Sequence, residues 1–294
     1  MAAAIPVLEI GGTHVTAAAV DPSDWRVESS TRYSLDADAS ADALIQRFFR
    51  AGNALRARAG ATWGIAMPDP FDYTRGIGLF EGVGKFTALR GVDVGDALRS
   101  RLRGRPAFLN DADAFLLGEW AAGAAVGAGR CVGITLGTGI GSAWLVDGQV
   151  VDPGVPPGGR IHRLSIGGEP LEDVVSRRAM RRAFTAAGGD PAADVREIAD
   201  QARAGSRLAR GVLDAAMTAL GRVVGRCTAG FRADLLVIGG SMSASWDLFE
   251  PAFRAGALGN GLPRIEIAAG SERAPLIGAA LHAVRSGGAA NLTR

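Results

Sequence analysis

Two glycine-threonine turns with one acid between them carry the chemistry this chain could do. The first turn is Gly11-Gly12-Thr13 and the second is Gly137-Thr138-Gly139-Ile140-Gly141, with Asn110-Asp111 standing between them after an apolar run. Each turn follows β-like sequence, Ile5-Pro6-Val7-Leu8-Glu9-Ile10 and Cys131-Val132-Gly133-Ile134-Thr135-Leu136, and more β-like sequence follows each. That is a hairpin context. Glycine permits positive φ and close approach of a ligand, leaving amide N–H groups and a threonine hydroxyl to meet phosphate oxygens. Tight hairpins use glycine equally well, so the pairing of the two turns around one carboxylate carries the reading of phosphoryl transfer.

A third feature is a solitary cation. The 32 basic residues include a single lysine, Lys85, in the glycine-rich stretch Glu81-Gly82-Val83-Gly84-Lys85-Phe86. A compact ammonium on a flexible stem could reach a sugar hydroxyl, a carboxylate or a phosphate there. The plain alternative is an exposed loop lysine.

Strands must end at both turns to hold these groups. The pattern predicts two strands over 5–20 joined at Gly11-Gly12, a third within 25–35, and a helix over 41–59. In that helix Leu44, Ile45, Phe48, Phe49 and Leu55 recur at spacings of three and four. A strand over 61–67 is stopped by Pro68-Asp69-Pro70, because proline lacks an amide donor and restrains its predecessor. A helix over 92–102, a strand at 107–109 and an alanine-rich helix over 110–125 follow, with Asn110 or Asp111 at its cap. The order then repeats. Strands at 132–136, 142–146 and 149–151 lead to a Pro/Gly-rich loop over 152–159, then helices over 171–186, 194–204 and 206–226. A strand at 235–238 runs into Gly239-Gly240-Ser241, followed by a helix over 247–254, a strand at 265–267 and a helix over 274–285. This repetition implies an α/β protein of two lobes on one plan, with the cleft between them the default ligand site.

Composition removes other classes. At 294 residues, 48% hydrophobic and 21% charged, the chain can bury a large core. A net charge of +2 sets up no field for nucleic acid or an anionic membrane, and the run Arg99, Arg101, Arg103 and Arg105 reads as one solvated helix end. The strand pattern begins directly after Met1-Ala2-Ala3-Ala4, with no basic n-region or apolar span, which predicts a cytoplasmic protein. Cys131 and Cys227 are too few for a disulfide framework or a cysteine-rich zinc site and read as small buried apolar side chains.

Taken in order, Gly11-Gly12-Thr13, Asn110-Asp111-Ala112-Asp113-Ala114 with Gly118-Glu119 behind it, Gly137-Thr138-Gly139-Ile140-Gly141-Ser142, and Gly239-Gly240 resemble the ROK family. That family comprises bacterial sugar kinases and sugar-responsive repressors, and the resemblance spans nearly the whole chain. It implies the two-lobed ribonuclease-H-like fold of the actin/hexokinase-type ATPases, with an interlobe cleft. The lobes would cover residues 1–112 and 113–279, with the last helix, about 280–294, returning to the N-terminal lobe. The resemblance further implies that Gly11, Gly12, Thr13, Gly137, Thr138 and Gly139 hold nucleotide phosphates. Gly239 and Gly240 would contact adenosine, and Asp111 would be the catalytic base.

Those roles make chemical sense. A sugar primary hydroxyl is a poor nucleophile, so a carboxylate must accept its proton as the γ-phosphoryl group moves. Asp111 fits, with Asn110 orienting a neighbouring hydroxyl, whereas taken alone Asp111 reads as a helix cap. Magnesium accompanies ATP, and Glu9 is the candidate acid, where family members usually carry aspartate. Its plain alternative is a strand-end acid facing solvent. Zinc-containing relatives carry a Gly-Glu-x-Gly-His segment and then a cysteine cluster. Here the region reads Gly158-Gly159-Arg160-Ile161-His162 and Glu169-Pro170-Leu171-Glu172-Asp173 without cysteine, so zinc is not expected. The resemblance keeps His162 and Glu172 at the sugar, though a lone histidine is by default a loop residue. Asp69 replaces the glycine of a family Pro-Gly-Pro loop and could bind a sugar hydroxyl or cap a turn. The Gly84-Lys85-Phe86 loop stands where relatives place an Asn-Leu pair, so glucose is not assumed.

The expectation is an ATP-dependent kinase acting on a hexose-type hydroxyl at C6. The alternatives are a non-catalytic sugar- and nucleotide-binding pseudokinase, or a kinase that takes polyphosphate in place of ATP. The repressor branch carries a helix-turn-helix ahead of the first turn, for which this chain has few residues, so DNA is not an expected partner. Relatives are often homodimers.

Overall fold

Apolar strands alternating with helices build the same sheet twice. The computed structural model describes residues 3–155, 159–259 and 261–289. Pro156, Pro157 and Gly158 of the expected Pro/Gly-rich loop, and residues 290–294 of the expected returning segment, lie outside the described residues. The chain divides into two compact units, Met1–Val126 with Glu272–Arg294, and Gly127–Ser271.

The first unit begins with β1 (Ile5–Ile10), β2 (His14–Val20) and β3 (Val27–Ser34), then α1 (Ala41–Asn53) and β4 (Thr62–Met67). A two-residue hairpin of β5 (Phe71–Asp72) and β6 (Ile77–Gly78) precedes α2 (Val94–Leu102), β7 (Arg105–Asn110) and α3 (Asp111–Ala122). The sheet runs β3-β2-β1-β4-β7, antiparallel across β1, β2 and β3, with β4 parallel to β1 and β7 parallel to β4. Leu44 and Phe48 of α1 and Leu98 of α2 join Leu8, Ile10, Trp63, Ile65 and Met67 in one core. Each such side chain contributes about 1.5–3 kcal/mol when fully buried. The parallel strands β1, β4 and β7 place their C-terminal ends together, and these ends carry Gly11, Pro68 and Asn110.

The second unit repeats the plan. Its elements are β8 (Arg130–Leu136), β9 (Ile140–Val146), β10 (Gln149–Val150), the hairpin β11 (Ser165–Ile166) and β12 (Glu169–Pro170), and α4 (Glu172–Val175). There follow α5 (Arg177–Ala186), α6 (Val195–Arg203), α7 (Arg207–Phe231), β13 (Leu235–Gly239), α8 (Trp246–Gly256) and β14 (Arg264–Ile267). The sheet order β10-β9-β8-β13-β14 matches that of the first unit. The helix expected over 171–186 is broken at Ser176, whose backbone is extended at φ −62 and ψ 160 and whose Oγ accepts from Ala179 N at 3.3 Å. That serine cap starts α5 afresh.

Finally α9 (Ala274–Ala289) returns to the first unit and packs on α3 and on β1 and β4. The division falls after Val126, not at residue 112, because α3 lies against α9. A side chain at Gly118 would run into the Ala274 carbonyl, and one at Gly278 into that of Ala114. Helix α3 is buried almost continuously from Ala112 to Glu119, as expected of a helix covered on several sides. Among the described residues, no helix is long and apolar enough to cross a membrane.

Candidate active site

In the first unit the site grows from three strand ends. Asn110 closes β7 and is the N-cap of α3, its Oδ1 accepting from Ala112 N at 3.0 Å and Asp113 N at 3.4 Å. Its Nδ2 donates to the Tyr73 hydroxyl at 3.1 Å. Asn110 is therefore the cap, and Asp111 is the first residue of the helix proper. Asp111 is half-buried, and Oδ1 accepts from Ala112 N at 2.8 Å. Burial pushes its carboxyl above the ordinary carboxylate range. The Lys85 ammonium and the Ala112 amide oppose that rise, while the Asp69 and Glu9 carboxylates add to it. A carboxyl held this way is poised to take a proton.

The other expected residues of this unit converge on the same place. Lys85 runs its stem past the first turn, since a side chain at Gly12 would start 3.7 Å from Lys85 Cδ. Its loop is anchored by buried Phe86, whose ring packs at a tilt against Phe80 at 5.3 Å between ring centroids and lies 6.4 Å from that of Phe48. Asp69, joined to Pro70 by a cis peptide bond, follows β4. The turn itself is closed by Gly11 N donating to His14 O at 2.9 Å, and it leaves Thr13 exposed.

Glu9 does not simply face solvent. Its Oε2 lies 3.2 Å from His14 Nε2, which also meets an Arg32 guanidinium nitrogen at 2.8 Å, and His14 Nδ1 lies 3.2 Å from Thr13 Oγ1. His14 and Tyr73 are site neighbours that the sequence reading missed. Position directly after the turn was the signal available for His14, and none was available for Tyr73.

The second unit assembles its own group. Gly137 N donates to Gly139 O at 3.0 Å, which tightens the turn, and Thr138 is exposed at its tip. None of Gly11, Gly12, Gly137 or Gly139 has positive φ. Their glycine is explained by space: a side chain at Gly11 would start 3.0 Å from the His14 ring, and one at Gly139 would overlap Glu172 Oε1. Gly240, by contrast, needs φ +85 and has the Leu136 backbone where a Cβ would be. Its neighbour Ser241 lies beside the Gly-Thr-Gly turn, with Oγ 3.7 Å from the Cβ position of Gly137. Gly239 pairs in register with Thr135 of β8, so the glycine pair and the Gly-Thr-Gly turn occupy adjacent strand ends.

Glu172, expected at the sugar, starts α4 with its carboxylate against the Gly139 turn. His162 sits in a single 3-10 turn, Ile161–Arg163. That turn is fixed by Ser142, whose Oγ donates to Gly159 O at 2.6 Å and accepts from Ile161 N at 3.2 Å. Leu171 N donates to Leu164 O at 2.8 Å, so the segments carrying His162 and Glu172 are the two arms of one hairpin. Gly158 of the same motif lies outside the described residues.

Residues 6–155 match the ROK family. A glucokinase of Thermotoga maritima is 32% identical over 215 residues, covering 64% of this chain and 66% of that protein, a little under two thirds of its length. Among solved structures, a ROK hexokinase from Thermus thermophilus superposes with a TM-score of 0.80 at 24% identity, covering 96% of this chain and 98% of that one. A ROK family glucokinase from Streptomyces griseus, in complex with glucose and AMPPNP, gives a TM-score of 0.78 at 20% identity, covering 94% and 98%. These likenesses show the fold of the ROK sugar kinases, the actin/hexokinase type. Paired glycine turns, an Asn-capped helix opening on Asp111 and the twice-built sheet thus agree with a match over half the sequence: the chain belongs to the ROK family.

Proposed function

We propose that this protein is an ATP-dependent sugar kinase in which Asp111 takes the proton of a hexose hydroxyl, the C6 hydroxyl for preference. The observation that carries the reading is the Asp111 carboxyl: at the first residue of α3, half-buried, pushed up by burial, and within the fields of Lys85, Asp69 and Glu9. A structural cap is the competing role, and Asn110 already fills it. The glucokinase name of the Thermotoga maritima relative and the glucose and AMPPNP bound to the Streptomyces griseus protein support a sugar acceptor and a nucleotide donor.

As the hydroxyl oxygen attacks the γ-phosphorus, its proton passes to Asp111, while the bond to the bridging oxygen breaks and ADP leaves. Asn110, Asp69, His162 and Glu172 are assigned to the sugar hydroxyls. Lys85 is assigned to the charge that develops near the first turn. Thr13 and Thr138 donate hydroxyls, and Gly11, Gly12, Gly137 and Gly139 donate amides, to the phosphate oxygens. Gly239 and Gly240 take the adenosine.

Magnesium is part of this reading. Among the described residues no group of three or more His, Cys, Asp or Glu could hold an ion. Magnesium takes one or two carboxylates plus substrate phosphates and keeps several waters, so a lone acid beside the turn suits an ion that arrives with the nucleotide. Glu9 would hold it, and the ion would neutralise charge on the phosphate oxygens.

The test is Asp111→Asn, which keeps the acceptor for Ala112 N. With Mg-ATP and a hexose panel, sugar phosphate formation should fall about 10²–10⁴-fold in kcat, with a melting temperature at neutral pH no lower than that of wild type, because the neutral amide escapes the burial that raises the carboxyl. An equally active variant, or a wild-type protein inert with every sugar, would sink the reading.

A further inference from the structure

We propose that Arg32 is a positioning residue for the phosphate end of the nucleotide: it fixes the tautomer of His14 and through it the direction in which the Thr13 hydroxyl donates. The inference rests on the reading above that Thr13 and Glu9 meet the nucleotide phosphates and their cation.

The pleat of the first sheet brings the group together. Glu9 of β1 and Arg32 of β3 both stand opposite Thr16 of β2, and His14 lies two residues before Thr16 on the same strand. Opposed residues, and residues two apart, share one face of a sheet, so Glu9, His14 and Arg32 share a face. The other face sends Leu8, Ile10, Val15 and Ala17 into the core. Next to the first turn, His14 Nε2 lies 2.8 Å from an Arg32 guanidinium nitrogen and 3.2 Å from Glu9 Oε2, and Nδ1 lies 3.2 Å from Thr13 Oγ1. The other terminal nitrogen of Arg32 donates to Glu272 Oε1 at 3.4 Å, which anchors the guanidinium from its far side.

The ring cannot serve both neighbours of Nε2. A guanidinium only donates, so its contact is a hydrogen bond only if Nε2 carries no proton. An ionised carboxylate only accepts, so its contact is one only if Nε2 carries a proton. The shorter contact decides the tautomer. A proton on Nε2 would set donor against donor at 2.8 Å, whereas leaving it off sets lone pair against lone pair at 3.2 Å, the milder conflict because repulsion weakens with distance. Nε2 is therefore the acceptor. The one proton of the neutral ring sits on Nδ1 and is donated to Thr13 Oγ1.

That tautomer has two consequences at the turn. A hydroxyl has one proton and two lone pairs. Accepting from Nδ1–H occupies a lone pair and leaves the Thr13 proton for a phosphate oxygen, and a hydroxyl that accepts one hydrogen bond donates the next more strongly. In the opposite tautomer Thr13 would give its proton to Nδ1 and turn lone pairs toward the phosphate. Glu9 is affected as well. With no proton on Nε2, its Oε2 receives nothing from the ring and is left for the magnesium that accompanies the nucleotide. Without Arg32 the balance reverses: Nε2–H donates to Glu9, Nδ1 accepts from Thr13, and both groups are spent within the protein.

The test joins ring-nitrogen NMR to nucleotide binding. The chain has three histidines, and His14→Phe identifies the His14 signals by their loss. In ligand-free wild type, long-range proton–nitrogen correlations should place the His14 proton on Nδ1. Arg32→Lys, which keeps a donor, should retain it there, and Arg32→Met should move it to Nε2. Arg32 is exposed, so these variants should melt with wild type. Calorimetry with Mg-AMPPNP and no sugar should give a Kd raised about tenfold or more in Arg32→Met, the scale of one hydrogen bond to a charged group, with recovery in Arg32→Lys. In the His14→Phe background Arg32→Met should add little. In sugar phosphate assays the KM for ATP should rise with that Kd while the KM for sugar holds. A proton on Nε2 in wild type overturns the proposal whatever the variants do. A tautomer or a nucleotide Kd indifferent to Arg32→Met also overturns it, and so does full additivity with His14→Phe, which would make Arg32 a direct attractor of the nucleotide. A wild-type protein that does not bind Mg-AMPPNP overturns it together with the nucleotide reading. Arginine-dependent tautomer and binding, with no transfer to any sugar, uphold the proposal and strike the kinase reading alone.

Discussion

Asn110 Nδ2 donates to the Tyr73 hydroxyl at 3.1 Å, and that hydroxyl donates onward to the Met67 carbonyl at 3.1 Å. A loop tyrosine thereby joins the end of β4 to the cap residue of α3, and Asn110, only 2% exposed, fixes the direction in which Asp111 leaves the strand. Tyr73→Phe keeps the ring packed 5.4 Å from Phe71 and removes only the hydroxyl. The expected cost in stability is about 0.5–1.5 kcal/mol, the net value of a hydrogen bond. In the proposed enzyme the KM for sugar should rise several-fold while that for ATP stays put. Denaturant melts and initial rates on both substrates check this, and an unchanged sugar KM would remove Tyr73 from the site.

The field around Asp111 has a sign that pH can read. Its carboxyl is raised by burial, so kcat/KM should fall as pH drops through that raised value and the base becomes protonated. Lys85 favours the charged carboxylate. Lys85→Met should therefore move the acid limb of the profile to higher pH, and Asp69→Asn, which removes a like charge, should move it lower. A pH–rate series on the three proteins decides the matter. Shifts in the same direction for both variants would contradict the electrostatic account.

Much of this site could be read before folding, and what escaped has a common cause. Gly11-Gly12-Thr13, Gly137-Thr138-Gly139 and Asp111 declared themselves through short-range pattern, glycine at strand ends and an acid at a strand-to-helix junction. The purpose of those glycines did not, because the His14 ring and the Glu172 carboxylate that crowd them arrive through tertiary packing. Tyr73 lies in a loop without periodicity, so its hold on Asn110 has no sequence signal. The break at Ser176 was hidden for another reason. The residues around it favour helix on both sides, and only the extended backbone at Ser176 separates α4 from α5.

Glu119 offers a stability test away from the chemistry. It is 2% exposed, and its Oε2 accepts from Ala124 N at 2.8 Å where the chain leaves α3. Burial raises its carboxyl above the ordinary range, against the opposing effect of that amide. A folded-state value above the unfolded one means that deprotonation favours unfolding, so this residue's contribution is present at low pH and is lost as pH rises. Glu119→Gln keeps an oxygen for Ala124 N and carries no charge. Its melting temperature should match wild type at about pH 4, close to the unperturbed glutamate value, and exceed it increasingly toward neutrality. A gap that narrows with rising pH would refute the burial argument.

Gly278 tests how the returning helix holds the one that opens on Asp111. In an ordinary helix interior, alanine in place of glycine stabilises by about 0.5–1 kcal/mol, because the unfolded chain loses freedom and the helix gains propensity. At Gly278 a Cβ would overlap the carbonyl of Ala114, a backbone group on α3 that no side-chain rotation can move aside. Overpacking of this kind costs about 1–3 kcal/mol and sometimes more, so Gly278→Ala should destabilise despite its better propensity. Because α3 begins at Asp111, the shift that relieves the overlap should also displace the base proposed there. The variant should then lose kcat under conditions where circular dichroism shows it folded. Gly288→Ala, on the same helix and with nothing within 4 Å of its Cβ position, should be neutral or mildly stabilising. Opposite signs for two glycine-to-alanine changes in α9 separate packing from propensity, and equal signs would show that α3 and α9 do not meet as closely as the backbone places them.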